Sequence, residues 1–217
     1  MMATATLTSW VTIQDLIEQL GDIPPRRILA KPFPGTATEE DLLDAERLHH
    51  SLFELVDGVL VEKGMGFQES LLAFAIGAYL RAFVVPPNLG IVVGPDAMIR
   101  LFPGLVRAPD VAYISWDRFP DRKISKEPIP SLAPDLAVEV LSESNTRREM
   151  ERKRGEYFGH GVSLVWEVDP RRRSVTVYKP DGTAIDLDES DRLDGGDVLP
   201  GFSLELRDLF AELDRHD

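Results

Sequence analysis

Cysteine is absent from the 217 residues. That excludes disulfides, thiolate-bound metals and a cysteine nucleophile together. Histidine is scarce, with four in the chain and none at HExxH spacing. Ser142 and Ser144 have no histidine near them in sequence, which argues against a serine-hydrolase triad. No G-x-x-x-x-G-K-S/T loop occurs, and GMGF at 64–67 is not a phosphate loop. Long apolar runs are missing too: LLAFAIGAYL, residues 71–80, is closed by Arg81 and is too short for a membrane span. The start, MMATATLTSWVTIQDLIEQL, lacks a basic region leading into an apolar one, so no secretory signal is expected. A cytoplasmic protein without a membrane partner is the expectation. Positive charge is in short supply as well. Lys and Arg number 24 against 37 Asp and Glu, giving a net charge of −13 and a pI near 4.8. The mean field of such a chain repels nucleic acid, so a nucleic-acid partner needs a local basic patch.

What is present is ordinary for a globular protein: 43% hydrophobic and 28% charged residues. The length fits one domain over 1–217, with a helical segment over 1–50, a core over 51–179, and a β tail with a short helix over 180–217. Helices are expected near 12–20 and 38–49, the second with acids in its first turn. FELVDGVLVEKG at 53–64 predicts a hairpin turning at Asp57-Gly58. The next segment shows apolar residues at 71, 74, 75, 78, 79, 82 and 83, one helical stripe ended by Pro86 and Pro87. GIVVGPDAMIRL and GLVRAPDVAYIS read as two strands, followed by a Pro-rich loop over 117–134. LAVEVL then reads as a central strand, TRREMERKRGEYF as a helix, and VSLVWEV and SVTVYK as further strands. Together these predict an α/β fold, with helices flanking a mixed central sheet and a small C-terminal β extension.

Within LAVEVL, Ala137, Glu139 and Leu141 share one face, and Leu136, Val138 and Val140 the other. Both faces are otherwise apolar, so Glu139 needs a partner or a purpose. Thr146 and Glu149 form a capping box that fixes the start of the next helix. On that helix Met150, Lys153 and Tyr157 share a face, which turns Lys153 inward. Either its stem lies on the core with its head in water, or it meets Glu139. Asp110 follows Pro109 at a strand start, where turn chemistry and a functional acid are both open. Glu54 sits in FELVDG, on the polar face of the hairpin or at a site. Two carboxylates converging in a dry sheet need a cation, and oxygen ligands suit Mg²⁺ or Mn²⁺. A lysine beside them can orient water and offset charge on a phosphate. TRREMERKR carries Arg147, Arg148, Arg152, Lys153 and Arg154, and DPRRRS carries Arg171, Arg172 and Arg173. Each stretch is either a solvated face or part of a phosphate-binding surface.

VRAPDVAYISWDRFP, PIPSLAPDLAVEVLSESNT, EMERKRGEYFGHGVSLVWEVDP and VTVYKPDG closely resemble the Uma-two family of restriction-endonuclease-like proteins, within the PD-(D/E)xK nuclease superfamily. The resemblance runs from about residue 36 to the LPGFSLELRDLF tail. It implies a restriction-endonuclease-like fold and a Mg²⁺- or Mn²⁺-dependent endonuclease acting on nucleic acid, DNA in preference. It implies Asp110 and Glu139 as metal ligands, aided by the Val140 carbonyl, and Glu54 as a further acid. The superfamily's lysine position holds Leu141, and Lys153 fits a lysine moved to the following helix. Arg147, Arg148, Arg152 and Arg154 would then face the nucleic acid. Gln68 and Glu69 stand where relatives often show histidine, which leaves their role open. A homodimer would supply two sites for cutting both strands. The rival expectation is a nuclease fold without cleavage, serving in binding or assembly.

Overall fold

The computed structural model describes residues 11–214. Residues 1–10, the first half of the stretch over which no secretory signal was expected, lie outside that range, as do 215–217. Among the described residues, local signals set the helix starts. Helices α1 (Ile13–Gln19), α2 (Glu39–His49) and α4 (Arg147–Gly159) each follow a threonine whose side chain accepts from the third helical residue. That residue, an Asp or Glu, bonds back to the cap, an arrangement worth about 1 kcal/mol per helix. The hairpin forms as its sequence dictates. β1 (Phe53–Val56) and β2 (Val59–Glu62) turn at Asp57 and Gly58, whose φ values of +52° and +72° are those a two-residue hairpin turn needs.

Helix α3 (Phe67–Val84) follows, then β3 (Gly90–Val93), β4 (Ile99–Phe102), β5 (Leu105–Arg107) and β6 (Val111–Ser115). After the Pro-rich loop come β7 (Leu136–Val140), α4, β8 (Leu164–Asp169), β9 (Ser174–Tyr178) and β10 (Ala184–Asp188). The described chain ends with β11 (Arg192–Gly195), β12 (Leu199–Glu205), α5 (Leu206–Phe210) and a 3-10 turn at Ala211–Asp214. The central sheet runs β10-β9-β8-β7-β6-β3, with β7 and β8 parallel and every other pair antiparallel. A second sheet runs β2-β1-β5-β4, and β11 with β12 makes a separate ribbon.

Two expected strands are each divided. GIVVGPDAMIRL becomes β3 and β4, and GLVRAPDVAYIS becomes β5 and β6, with the halves in different sheets. Both breaks contain proline, Pro95 and Pro109, which has no N–H for a ladder. The chain therefore crosses twice between sheets, and Asp110 stands at one crossing. The stripe expected on α3 is also corrected. Leu72, Ala73, Ala75, Ile76, Leu80 and Val84 are buried against Leu136, Val138 and Val140, while Phe74 and Tyr79 face out. α3 is apolar nearly all round, so period alone could not choose its inner face. It is the one helix among the described residues long and apolar enough to cross a membrane.

Arg27, in the short helical turn Pro25–Arg27, fastens the N-terminal segment to the start of α4. Its guanidinium donates to both Glu149 oxygens at 2.8 and 2.9 Å and to the carbonyls of Glu62 and Ser144. Burial opposes the Glu149 charge, but the Arg27 pairing outweighs it and holds the carboxyl below its usual range. Arg27→Met strands that carboxylate and should lower stability by about 3–5 kcal/mol at pH 7. A depressed folded pKa gives stability that is present above the unfolded value of about 4.3 and lost as pH falls through the folded value. The gap between variant and wild type in denaturant melts should therefore narrow toward pH 3, and a gap constant with pH would show that the pair is not its source.

Candidate active site

The central strand β7 is buried along its whole length. Leu136, Val138 and Val140 face α3, and Ala137 packs with Tyr157, Val162 and Val165 beneath α4. Glu139 lies on the α4 side, where Lys153 and Tyr157 meet it. Lys153 Nζ donates to Glu139 Oε2 at 3.0 Å, and the Tyr157 hydroxyl donates to Oε1 at 2.5 Å. The same Lys153 Nζ stands 3.2 Å from Glu54 Oε1. Lys153 is 3% exposed, so it meets Glu139 rather than reaching water.

Glu54 is not on a solvated hairpin face. It is 1% exposed, accepts from Arg107 Nη1 at 2.6 Å and takes the Ala108 N–H at 3.2 Å. Asp110, 3% exposed, completes the group. Its Oδ2 accepts the Val140 N–H at 2.6 Å, which ties the crossing between β5 and β6 to the end of β7. Its Oδ1 stands 2.7 Å from Lys63 Nζ, an ion pair without hydrogen-bond geometry. A groove of about 550 Å³ between α3 and β3, lined in part by Phe74, Arg81 and Val92, reaches Asp110.

Asp110, Glu139, Lys153 and Glu54 are thus brought together, with Val140 contributing its backbone. Sequence reasoning missed two members, Lys63 and Arg107. The hairpin held the signal for Lys63: Glu54 pairs with Val61, so Lys63, two residues on, shares its face. Arg107 lies one step beyond the Leu55–Val106 pair, opposite Glu54, but the pairing of β1 with β5 is long-range and unreadable from local pattern.

The basic residues of α4 are placed differently from one another. Among the described residues Arg147 pairs with Glu151 on its own helix and is exposed, and Arg148 pairs with Asp22 and is also exposed. Arg152 is committed to the Gln19 carbonyl, Asp57 and Glu156. Arg154 bonds Glu167 and lies over the Tyr178 ring. Arg171 and Arg173 pair with Asp169 and with Glu189 and Asp214. Gln68 and Glu69 line a separate polar cleft with Ser142, Ser144 and Arg171.

The electrostatics set the carboxylates apart. Burial raises the Glu54 carboxyl, but Lys153, Arg107 and Lys63 outweigh it and hold it well below the usual carboxylate range. For Glu139 burial wins: desolvation, with Asp110 and Glu54 nearby, raises its pKa against the pull of Lys153 and Lys63. Burial would lower Lys153, yet Glu139 and Glu54 raise it, so the ammonium stays charged. Burial and Glu139 push the Tyr157 hydroxyl well above its usual value, which keeps it a donor.

Glu139→Gln tests this. A raised folded pKa means the charge of Glu139 destabilises the fold as pH rises from about 4.3 through the folded value. Lys153 keeps Glu54 in the variant, so no cation is stranded. The variant should match wild type near pH 4 and lie within about 1 kcal/mol of it, equal or higher, at pH 8. Lys153→Met, which strands two carboxylates, should lose about 3–5 kcal/mol. If Glu139→Gln melts as far below wild type as Lys153→Met does, the Glu139 charge is a structural necessity.

Comparison with known proteins gives a family and a fold. Residues 40–207 match the model of the Uma2 family, described as "Putative restriction endonuclease". None of the curated proteins matches the chain. Among solved structures, a "putative nuclease belonging to DUF820" from Anabaena variabilis ATCC 29413 superposes with a TM-score of 0.68. It covers 76% of this chain and 92% of its own at 21% identity, a likeness of fold. The fold is thus a mixed α/β fold shared with that protein, and the chain belongs to the Uma2 family.

Proposed function

We propose that the protein is a metal-dependent endonuclease that hydrolyses phosphodiester bonds in nucleic acid, DNA in preference, in the cytoplasm. Membership of the Uma2 family supports a nuclease. The observation that carries the finer reading is the convergence of Asp110 and Glu139 with Lys153 in a buried pocket. Among the described residues no cluster of three or more metal-binding side chains occurs. Two carboxylates still suffice for Mg²⁺ or Mn²⁺, since Mg²⁺ keeps several waters and commonly takes one or two protein carboxylates. Asp110 Oδ1, buried and without a hydrogen-bond donor, is a fitting hard oxygen. Asp110 and Glu139 would hold the ion, with the Val140 carbonyl as a third oxygen. Bound there, a divalent ion would lower the pKa of water and offset charge on the phosphate.

The chain's own residues supply the rest. Lys153 stays charged and orients the attacking water. Glu54, fixed by Arg107 and the Ala108 N–H, holds Lys153 in place and acts as an accessory acid. Tyr157 fixes the Glu139 carboxylate by donating to Oε1. Two copies around a two-fold axis would present two such sites, one per strand of a duplex.

One observation favours the rival, a nuclease fold without cleavage that serves in binding or assembly: every carboxylate of the pocket already faces a cation. Supercoiled plasmid incubated with Mg²⁺, Mn²⁺ or EDTA separates the two. Cleavage in the metals and none in EDTA is expected, with Glu139→Gln slower by about a hundredfold or more. Cleavage that Glu139→Gln leaves intact would place the activity elsewhere, and no cleavage in any metal would favour the rival.

Arg147 and Arg148 are exposed, each with one acid partner at the surface, whereas Arg152 and Arg154 are largely covered by theirs. Replacing Arg147 and Arg148 by alanine should weaken nucleic-acid binding and lower the slope of log K against log salt by about 1–2. An unchanged slope would make the two arginines solvated surface only.

A further inference from the structure

Charge balance in the pocket leads beyond this reading. Three carboxylates, Glu54, Asp110 and Glu139, face three cations, Lys63, Arg107 and Lys153. Glu156 adds a fourth carboxylate on Arg107, and a divalent ion that takes a carboxylate here competes with the cation already facing it. Arg107 is gripped by Glu54 and Glu156, and Lys153 by Glu54 and Glu139. Lys63 holds one carboxylate, Asp110, and the Ala108 carbonyl.

The position of Lys63 is equally distinctive. Its ammonium, on a side chain 6% exposed, sits 2.7 Å from Asp110 Oδ1, the oxygen with no hydrogen-bond donor. That is where a metal on Asp110 would need to stand, because two cations cannot share one carboxylate oxygen closely without strong repulsion. Lys63 follows the last residue of β2, its N–H held by the Leu52 carbonyl at 2.8 Å, and Gly64-Met65-Gly66 come next, so any withdrawal is a movement of its side chain.

We propose that Lys63 is a resident counter-cation: its ammonium neutralises Asp110 in the metal-free protein and withdraws from Oδ1 when a divalent metal binds. The inference rests on the metal-binding reading above. Lys63 thereby sets the affinity for metal. It weakens binding of the free ion and keeps the acids from destabilising the fold when no ion is bound. The withdrawn ammonium is then free to meet another anion, such as a phosphate of the substrate backbone.

Calorimetric titration of Mn²⁺ into purified wild type, Lys63→Met, Lys63→Arg and Lys63→Met/Asp110→Asn tests the proposal without any cleavage assay. Lys63→Met should bind Mn²⁺ at least about tenfold more tightly than wild type, since a like charge at contact distance is removed. Lys63→Arg, which keeps the charge, should not gain affinity, and the double variant should lose the gain. Mn²⁺ should also raise the melting temperature of Lys63→Met more than that of wild type. A lysine of purely structural role would lower the melting temperature and leave the Mn²⁺ affinity alone. If Lys63→Met does not fold without metal, Lys63→Gln, which keeps a donor for the Ala108 carbonyl, carries the same comparison. Equal or weaker Mn²⁺ binding by the neutral variants, beside a wild type that binds, overturns the role of Lys63 and leaves the metal site standing. Absence of Mn²⁺ binding in wild type and variants alike overturns both.

Discussion

A single ammonium, Lys153 Nζ, lies between carboxylates from two different sheets. Glu54 comes from β1 of the smaller sheet and Glu139 from β7 of the central one. The lysine itself comes from α4. Three separately formed elements therefore meet at one charge, and none of them could bury its ionised group alone without a penalty of several kcal/mol. The surrounding architecture keeps this contact dry. α3 covers the opposite face of β7, Tyr157 closes one side of the Glu139 carboxylate, and Arg107 closes the far side of Glu54. The crossing between β5 and β6 then brings Asp110 to the end of β7, where the Val140 N–H fixes it.

Buried ion pairs are weak evidence for stability, because well-packed apolar residues of similar volume often do as well. Three carboxylates and three cations in one pocket are therefore poorly explained by stability. The opposite shifts of the two glutamates point the same way. Glu54 is held ionised by its cations, whereas the Glu139 charge is disfavoured by burial and by its acidic neighbours. Two carboxyls of one kind thus stand in two electrostatic states, one held ionised by its cations and the other carrying a charge its surroundings disfavour.

Glu139, Lys153 and Asp110 were legible in the sequence because each breaks a local rule. Glu139 interrupts an apolar strand, Lys153 sits between a buried Met and Tyr at helical spacing, and Asp110 follows a proline at a strand start. Period-two and period-3.6 patterns register such violations directly. Lys63 and Arg107 break no local rule. A lysine at the end of a hairpin and an arginine at the end of a short strand are unremarkable until β1 pairs with β5 and the chain crosses between sheets. The division of two expected strands was hidden for the same reason. A proline was visible at each break, but which sheet the chain joins afterwards depends on distant partners. On α3 the obstacle was different. With apolar residues nearly all round, its inner face is set by the shape of β7 and its neighbours and not by its own pattern.

The arginines and lysine that crowd α4 follow from the same constraint. A helix that carries Lys153 into a buried pocket has to be held at a fixed depth and rotation, because a misplaced ammonium would leave two carboxylates unpaired. Its other cations do much of this holding. Arg148 reaches Asp22, Arg152 reaches the Gln19 carbonyl and Asp57, and Arg154 reaches Glu167 on β8. At its first turn Glu149 takes Arg27 from the N-terminal segment. The helix is thus anchored on several sides by acids drawn from a chain that has them in excess. These anchors are neutral pairs, so the net charge of −13 comes from acids outside them, and several cations of this basic helix serve to position one lysine.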